Sequence, residues 1–457
     1  MLSLLQDRKQ DLQRLFNLAW PIFVGQLAVI SNGVIDTAMT SRFSAMDLAA
    51  LAVGASIYIS VYVGASGVMQ ALAPTIGQLF GAKRFSEIGS EVKQGLWLAF
   101  FLSVCGSLIL AFPQPFLSIA QASPELNAKT TTYLQILAMS LPASLAFKVY
   151  SSLTTAVGRP KILMILQIAS LILKIPLNAL FIFGGFGIAA RGGPGCALAT
   201  TMLAWSILLA AWLILRHAPF YRQFQIFSGG FAWPRWSSQR ALLLLGIPMG
   251  ISYLIEVTAF TFMALYIARL GATAVAGHQI AANFGAVLYM LPLSIASATG
   301  TLVAQAVGAD NQLAARRIGD SGIGMAALLS LTIGITVWLT REQIVRAYTP
   351  NETIAAAAIP LLVYIGFYQV FDGIQATSAF ILRAYRIALV PTFIYAIALW
   401  GVGLGGGYLL GFNIGGRIPV ALHGAAGFWL GNSVSIAIVA GGLFWYLRKI
   451  QKVRAKR

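Results

Sequence analysis

Twelve predominantly apolar runs, each of about 20 residues or more, follow one another along this chain, and each is long enough to cross roughly 30 Å of hydrocarbon as a helix. Inside a bilayer every backbone N–H and C=O must be satisfied within the protein, which leaves only helices or a closed barrel. The runs are continuous rather than alternating polar-in and apolar-out, so a barrel is excluded. The spans fall at roughly 14–38, 50–79, 94–116, 130–155, 161–184, 195–216, 241–268, 278–307, 319–340, 354–382, 388–412 and 424–447. Composition agrees: 58% of residues are hydrophobic, 10% are charged and the mean hydropathy is +0.80. The first run is too long for a secretory leader and has no small-residue cleavage site at its end, so no cleavable signal is expected.

The net charge of +18 would suit a nucleic-acid binder if it formed a face. Instead, the positive residues sit in short connections and in the tail RKIQKVRAKR, where positive-inside bias and anionic lipid explain them. No nucleic-acid partner is expected. The termini and every second connection hold 22 of the Lys and Arg, whereas the alternate connections hold seven: Arg42, Lys129, Arg191, Arg269, Arg341, Arg346 and Arg417. Both termini are therefore expected in the cytoplasm, with the chain in the inner membrane. Lys148 and Lys174 stand apart, inside spans four and five. Cys105 and Cys196 lie in or at the edge of apolar runs and read as small core residues. With three histidines and no HExxH or CxxC motif, zinc chemistry is not expected.

A single shift of 227 positions aligns Pro21 with Pro248, Arg42 with Arg269, Ala45 with Ala272, Ala49 with Ala276, Gln78 with Gln305, Gly81 with Gly308 and Arg159 with Arg386. The longest connection, with Pro219, Pro234 and four arginines, lies between the halves. The expected organisation is an N-terminal six-helix lobe (1–217), a cytoplasmic linker (218–240) and a C-terminal six-helix lobe (241–457) ending in a basic tail. Six spans per half keep the halves in the same orientation, so the expected fold is an all-α integral membrane protein, its two bundles related by a pseudo-twofold along the membrane normal.

Three of the 13 acidic residues fall inside spans: Asp36, Glu256 and Asp372. An aspartate at the centre of a membrane helix costs about 2.5–3.5 kcal/mol, so such a residue faces a polar cavity or a partner. Tyr364, Tyr368 and Asp372 recur at i, i+4 and share a helix face where a cation can be held, with cation–π contact from the rings. Arg383 is 11 positions beyond Asp372, about 16 Å along a helix axis, and no basic residue is adjacent in sequence to Asp372 or Glu256. Tyr253 and Phe260 lie near Glu256 on its face, and Gln279 and Asn283 form an i, i+4 polar pair on the next span. In the first half, Asn32, Asp36 and Thr40 share one face, and Asn178, two residues after Pro176, is the expected polar partner of Asp36. Lys174, one turn before Asn178, offers a plain ion pair with Asp36 instead. Carboxylates with amide and hydroxyl oxygens suit a hard monovalent cation such as sodium, and a buried carboxyl can equally take a proton. The competing view is that the intramembrane acids only tie helices together by hydrogen bonds.

An Asp within GVIDTAMTSRF, then QLFGAKR, PLNALF, a Glu within LIEVTAF and finally FYQVFDGIQA occur in this order over nearly the whole chain. This pattern, with the six-plus-six repeat, resembles the multidrug and toxic compound extrusion (MATE) family, NorM branch. The resemblance implies a V-shaped, two-lobed antiporter, a monomer that exports small cationic and amphipathic drugs through the lipid bilayer in exchange for sodium or protons. It implies no cofactor beyond that coupling cation. It also implies that Glu256, Asp372 and Tyr368 bind the cation, sodium if the protein is sodium-coupled, with Gln279 close by. Asp36 and Asn178 would form the polar centre of the N-terminal lobe, joined there by Asn32 and Thr40. Tyr364 and Asn283 are the remaining candidates for the cavity wall. Lys148 and Lys174 do not match the family pattern.

Two other functions fit a chain of this kind less well. A flippase for lipid-linked sugars would need a cavity rich in Arg and Lys to meet pyrophosphate, whereas three acids face two lysines here. A membrane-embedded acyltransferase or protease would need a nucleophile with a histidine or paired acid in reach, and neither His278 nor His423 has such a partner in sequence.

Overall fold

In the computed structural model the helices run in chain order as α1 (Leu2–Ser41), α2 (Ala45–Met69), α3 (Leu72–Gly81), α4 (Phe85–Ala111), α5 (Gln114–Ala120), α6 (Pro124–Ala138), α7 (Leu141–Ala156), α8 (Pro160–Phe183), α9 (Gly193–His217), α10 (Pro219–Arg222), α11 (Trp236–Ala268), α12 (Ala272–Gly308), α13 (Gln312–Tyr348), α14 (Glu352–Ala384), α15 (Leu389–Tyr395), a π-helical stretch (Ala396–Gly406), α16 (Gly407–Gly411), a short 3₁₀ turn (Val420–Leu422) and α17 (Ala425–Arg454). The structure describes all residues except 1, 121–122, 229, 231, 417 and 455–457. Arg417 and the last residues of the basic tail, counted in the charge argument, thus lie outside the described residues. No β-strand occurs among the described residues. Among the described residues eleven helical stretches are long and apolar enough to span a membrane, with α2 and α3 counted as one and α15 to α16 as another, and α6 with α7, bent by 43° at their break, make a twelfth. Span four, expected as one helix over 130–155, is this broken pair.

Local chemistry explains where the helices start and stop. The Ser44 hydroxyl accepts from the N–H groups of Met46 and Asp47 to cap α2, and Asn311 and Asn351 cap α13 and α14 in the same way. The 227-residue offset recurs in the backbone: α2 starts at Ala45 and α12 at Ala272, while α3 ends at Gly81 and α12 at Gly308. Lys83 (φ 59°) and Asp310 (φ 55°), 227 positions apart, both take the left-handed conformation that turns the chain after those ends.

The chain divides into two compact units, one of residues 24–250 and the other of 1–23 with 251–457. These limits differ from a cut at the 218–240 connection. The N-terminal part of α1 packs with the second unit, where Leu15, Ala19 and Ile22 join a core containing Ile255, Ile295 and Tyr368. The start of α11 packs with the first unit. Both crossings come within three residues of a proline inside the helix, Pro21 and Pro248, a repeat-related pair. Proline removes one backbone hydrogen bond and bends a helix, so each long helix can serve two cores. The connection after α9 is tied to the first unit: Lys93 Nζ donates to the carbonyls of Ser228 (2.7 Å) and Gly230 (3.0 Å), and Trp97 Nε1 to that of Ala232 (2.8 Å).

Within the units, helices approach closely over small residues, as expected where lipid supplies no hydrophobic drive between helices. Gly334 on α13 meets Gly366 on α14 so tightly that a Cβ on Gly334 would stand 2.4 Å from the Gly366 carbonyl oxygen. Large apolar side chains such as Phe100, Leu108, Ile172, Leu265 and Leu328 are exposed in the isolated protein, the surface that hydrocarbon covers. Cys196 is buried as expected, but Cys105 sits on that exposed face of α4. An apolar run in a membrane has an outside as apolar as its inside, so hydropathy does not separate core from lipid contact.

Candidate functional site

Two polar constellations form inside the spans, one in each unit. In the first, α1 brings Asp36 against α8. Asn178 Nδ2 donates to Asp36 Oδ1 at 2.7 Å, so the expected pair is made. Lys174 Nζ lies 3.0 Å from the same oxygen, so the ion pair left open by the sequence is also made. Lys174 and Asn178 are 2% and 0% exposed, placing the ammonium and amide beyond the reach of bulk solvent. Lys174 also donates to the Thr200 hydroxyl at 2.5 Å, and that hydroxyl in turn donates to the Cys196 carbonyl at 3.0 Å. Asn32, Asn178 and Thr40 each keep a buried side-chain oxygen with no protein hydrogen bond. The Cys196 thiol and the Tyr133 phenol lie within electrostatic reach of Asp36. Thr200, Cys196 and Tyr133 were not legible as site residues, since nothing in their own segments marks them as neighbours of α1.

In the second unit, α11 and α14 bring Glu256 and Asp372 within electrostatic reach of each other. Asp372 is 2% exposed and Glu256 half-buried. Gln375 Nε2 donates to Asp372 Oδ1 at 2.8 Å, and the Tyr395 hydroxyl donates to Gln375 Oε1, so a relay from α15 holds the carboxylate. Tyr289 on α12, Tyr368 and Tyr395 all lie within reach of both carboxylates. Phe260 meets Tyr368 edge-on, with ring centroids 6.2 Å apart. The expectation that no base neighbours the two acids is corrected. Arg383, 8% exposed, donates to the Tyr253 hydroxyl at 2.8 Å and acts electrostatically on Glu256. The separation of 11 residues from Asp372 along α14 does not bear on Glu256, because the Arg383 side chain reaches sideways to Tyr253 on α11, one turn before Glu256.

The remaining candidates are less closely joined. Gln279 Nε2 donates to Asn283 Oδ1 at 3.1 Å on the exposed face of α12. Among the described residues no recorded hydrogen bond or ion pair links either one to Glu256 or Asp372. Tyr289, which does reach the carboxylates, is ten residues beyond Gln279, about 15 Å along the helix. Tyr364 is half-buried and packs on a separate core with Ile267, Ile365 and Trp429, two turns from Asp372. Of the residues that sequence reasoning missed, Gln375 could have been found from its i, i+3 spacing to Asp372, whereas Tyr289 and Tyr395 arrive from other helices.

Comparison with known proteins follows the same division of the chain. The MatE family model matches residues 21–180 and again 248–409, two blocks whose starts are 227 positions apart. The NorM relative of Aromatoleum aromaticum is 40% identical over 96% of this chain and 94% of its own length. The multidrug resistance protein PmpM of Pseudomonas aeruginosa is 35% identical over 94% of this chain and 89% of its own. A crystal structure of the Vibrio cholerae MATE transporter VcmN superposes with a TM-score of 0.88, covering 98% of both chains at 18% identity, which supports the fold. From the doubled match and these full-length relatives, the chain belongs to the MatE family, a family of membrane transporters and not of enzymes.

Proposed function

We propose that this protein is a secondary antiporter in the cell membrane that exports cationic and amphipathic drugs in exchange for a monovalent cation, sodium or a proton, taken up at Glu256 and Asp372. The observation that carries this reading is the meeting of two intramembrane carboxylates with one arginine in one unit. With both acids ionised, Glu256, Asp372 and Arg383 sum to one negative charge, which a single monovalent cation neutralises. The hydroxyls of Tyr289, Tyr368 and Tyr395 and the amide of Gln375 offer further oxygens to a hard cation. The names of the relatives, multidrug resistance proteins, support the substrate class. The Lys and Arg bias supports cytoplasmic termini. Asp36, Asn178, Asn32 and Thr40 serve as the polar centre of the first unit.

A proton and a sodium ion compete for the same carboxylate oxygens, so sodium binds more weakly as pH falls. One charge crossing the full field gains about 2.3 kcal/mol per 100 mV, enough for roughly fiftyfold accumulation of substrate. Equilibrium sodium binding to the wild type, Glu256→Gln and Asp372→Asn from pH 5 to pH 8 tests the proposal. Expected is a sodium affinity that declines toward acid pH in the wild type and is lost in both variants, together with gradient-driven export. Unchanged sodium affinity in both variants removes the two carboxylates from coupling.

A further inference from the structure

Lys148, midway along α7, is a charge that neither constellation uses. No residue from Leu141 to Ala156 is fully exposed, and Ser144, Lys148, Ser151 and Thr155 lie on a partly accessible face of α7, so the ammonium is neither sealed in a core nor free on an outer surface. Among the described residues Lys148 has no ion pair and no hydrogen bond. Two aspartates of the first unit are engaged elsewhere: Asp36 by Lys174 and Asn178, and Asp47 by Lys129 (2.7 Å) and the Gly193 N–H (2.9 Å). Asp36, Lys174 and Lys148 together leave the intramembrane part of this unit with one uncompensated positive charge. An ammonium held in a membrane helix without a partner is costly and marks a ligand path.

Its surroundings suit an anion on an aromatic molecule. Ser144 is one turn before Lys148 and Ser151 one turn after it, so two hydroxyls share its helix face. The Tyr58 hydroxyl on α2 lies 3.4 Å from that of Ser140 and beside Ser144, bringing a phenol to the same face. Tyr58 and Tyr62 are stacked, with centroids 5.9 Å apart and planes within 9°, and Tyr58 meets α7 at Ser140 and Ser144, the latter one turn before Lys148. Tyr133, within electrostatic reach of both Tyr58 and Asp36, connects this face to the Asp36 constellation.

We propose that the first unit carries an anion-binding subsite, built on Lys148 with Ser144, Ser151 and Tyr58, that takes the carboxylate, sulfonate or phosphate of an amphipathic aromatic substrate. The proposal rests on the export reading above and adds to it the residues of this chain that hold a substrate's anionic group. Lys148 supplies the charge and the hydroxyls orient the oxyanion, while the tyrosine pair receives the ring system.

Two dyes separate the anion from the rest of the molecule. Rhodamine B bears a free carboxylate, whereas rhodamine 6G carries that group as an ethyl ester on a xanthene with different N-ethyl and ring-methyl substitution, so each dye is compared with itself across the variants. Fluorescence polarisation would measure both with protein in phosphatidylcholine nanodiscs. Lys148→Met should weaken rhodamine B by about tenfold, the worth of one charge-assisted contact, while rhodamine 6G, with no anion to lose, still binds. Lys148→Arg should restore rhodamine B. Ser144→Ala with Ser151→Ala, which leaves the charge in place, should weaken rhodamine B about threefold. Retained rhodamine 6G binding is the control for folding. Adding phosphatidylglycerol distinguishes a headgroup phosphate from the substrate's own anion: competition with rhodamine B in wild type but not in Lys148→Met makes the lipid the source. Equal loss of both dyes, an unaffected rhodamine B, or a wild type that binds neither dye overturns the subsite. If the binding pattern holds while proteoliposomes move no dye under a sodium or proton gradient, the export reading fails and the subsite stands.

Discussion

Separating Asp36 from Lys174 tests whether the polar centre of the first unit is a structural clasp, a functional group or both. The Nζ–Oδ1 distance of 3.0 Å gives a gross attraction of about 5 kcal/mol at an effective dielectric of 20. Lys174 is 2% exposed, so removing its partner strands a charge away from water, which costs about 3–5 kcal/mol. Asp36→Asn keeps the shape of the side chain and its contact with Asn178 but leaves the ammonium with neutral acceptors only, the new amide oxygen and the Thr200 hydroxyl. Lys174→Met leaves a half-buried carboxylate that still has the Asn178 amide, so its cost is the smaller of the two. The double variant removes both charges and should recover most of the loss, giving a coupling energy of about 3 kcal/mol. Equilibrium unfolding in sodium dodecyl sulfate would measure all four proteins, with dye export assayed in parallel. A coupling below about 1 kcal/mol would mean that the pair is solvated in the membrane protein and would refute the burial argument. If instead the double variant is stable and inactive, the clasp and the function are separate properties of Asp36.

Asp47→Asn should destabilise the first unit by about 3 kcal/mol without changing the sodium affinity, because a 2%-exposed carboxylate is traded for an amide beside Lys129; the same unfolding assay with sodium binding checks both halves of that statement. Gly195→Ala should lower the melting temperature of the detergent-solubilised protein, since its Cβ would stand 2.1 Å from the Phe181 carbonyl oxygen where α8 meets α9; an unchanged melting temperature would mean that the two helices can part freely. Gly324→Ala, where the added Cβ meets nothing within 4 Å, should leave the melting temperature unchanged or raise it slightly.

Hydropathy, charge bias and a fixed repeat determined a great deal by themselves. A bilayer admits only internally bonded backbone, so twelve apolar runs of sufficient length left only a helical bundle open. The 227-residue shift, read from a few Pro, Arg, Gln and Gly pairs, recurs in the helix limits and in the two blocks of the family match. An acid inside an apolar run stands out in sequence, which is why Asp36, Glu256 and Asp372 could be named, and Asn178 with its nearby proline could be named as partner. Periodicity speaks only for one helix at a time. Tertiary packing therefore decided that Lys174 closes on Asp36, that Arg383 reaches α11, and that Tyr289 and Tyr395 arrive beside the carboxylates while Gln279 turns to Asn283. It also decided where each unit ends, because a proline lets one continuous helix serve two cores, and contacts rather than connection length set that division.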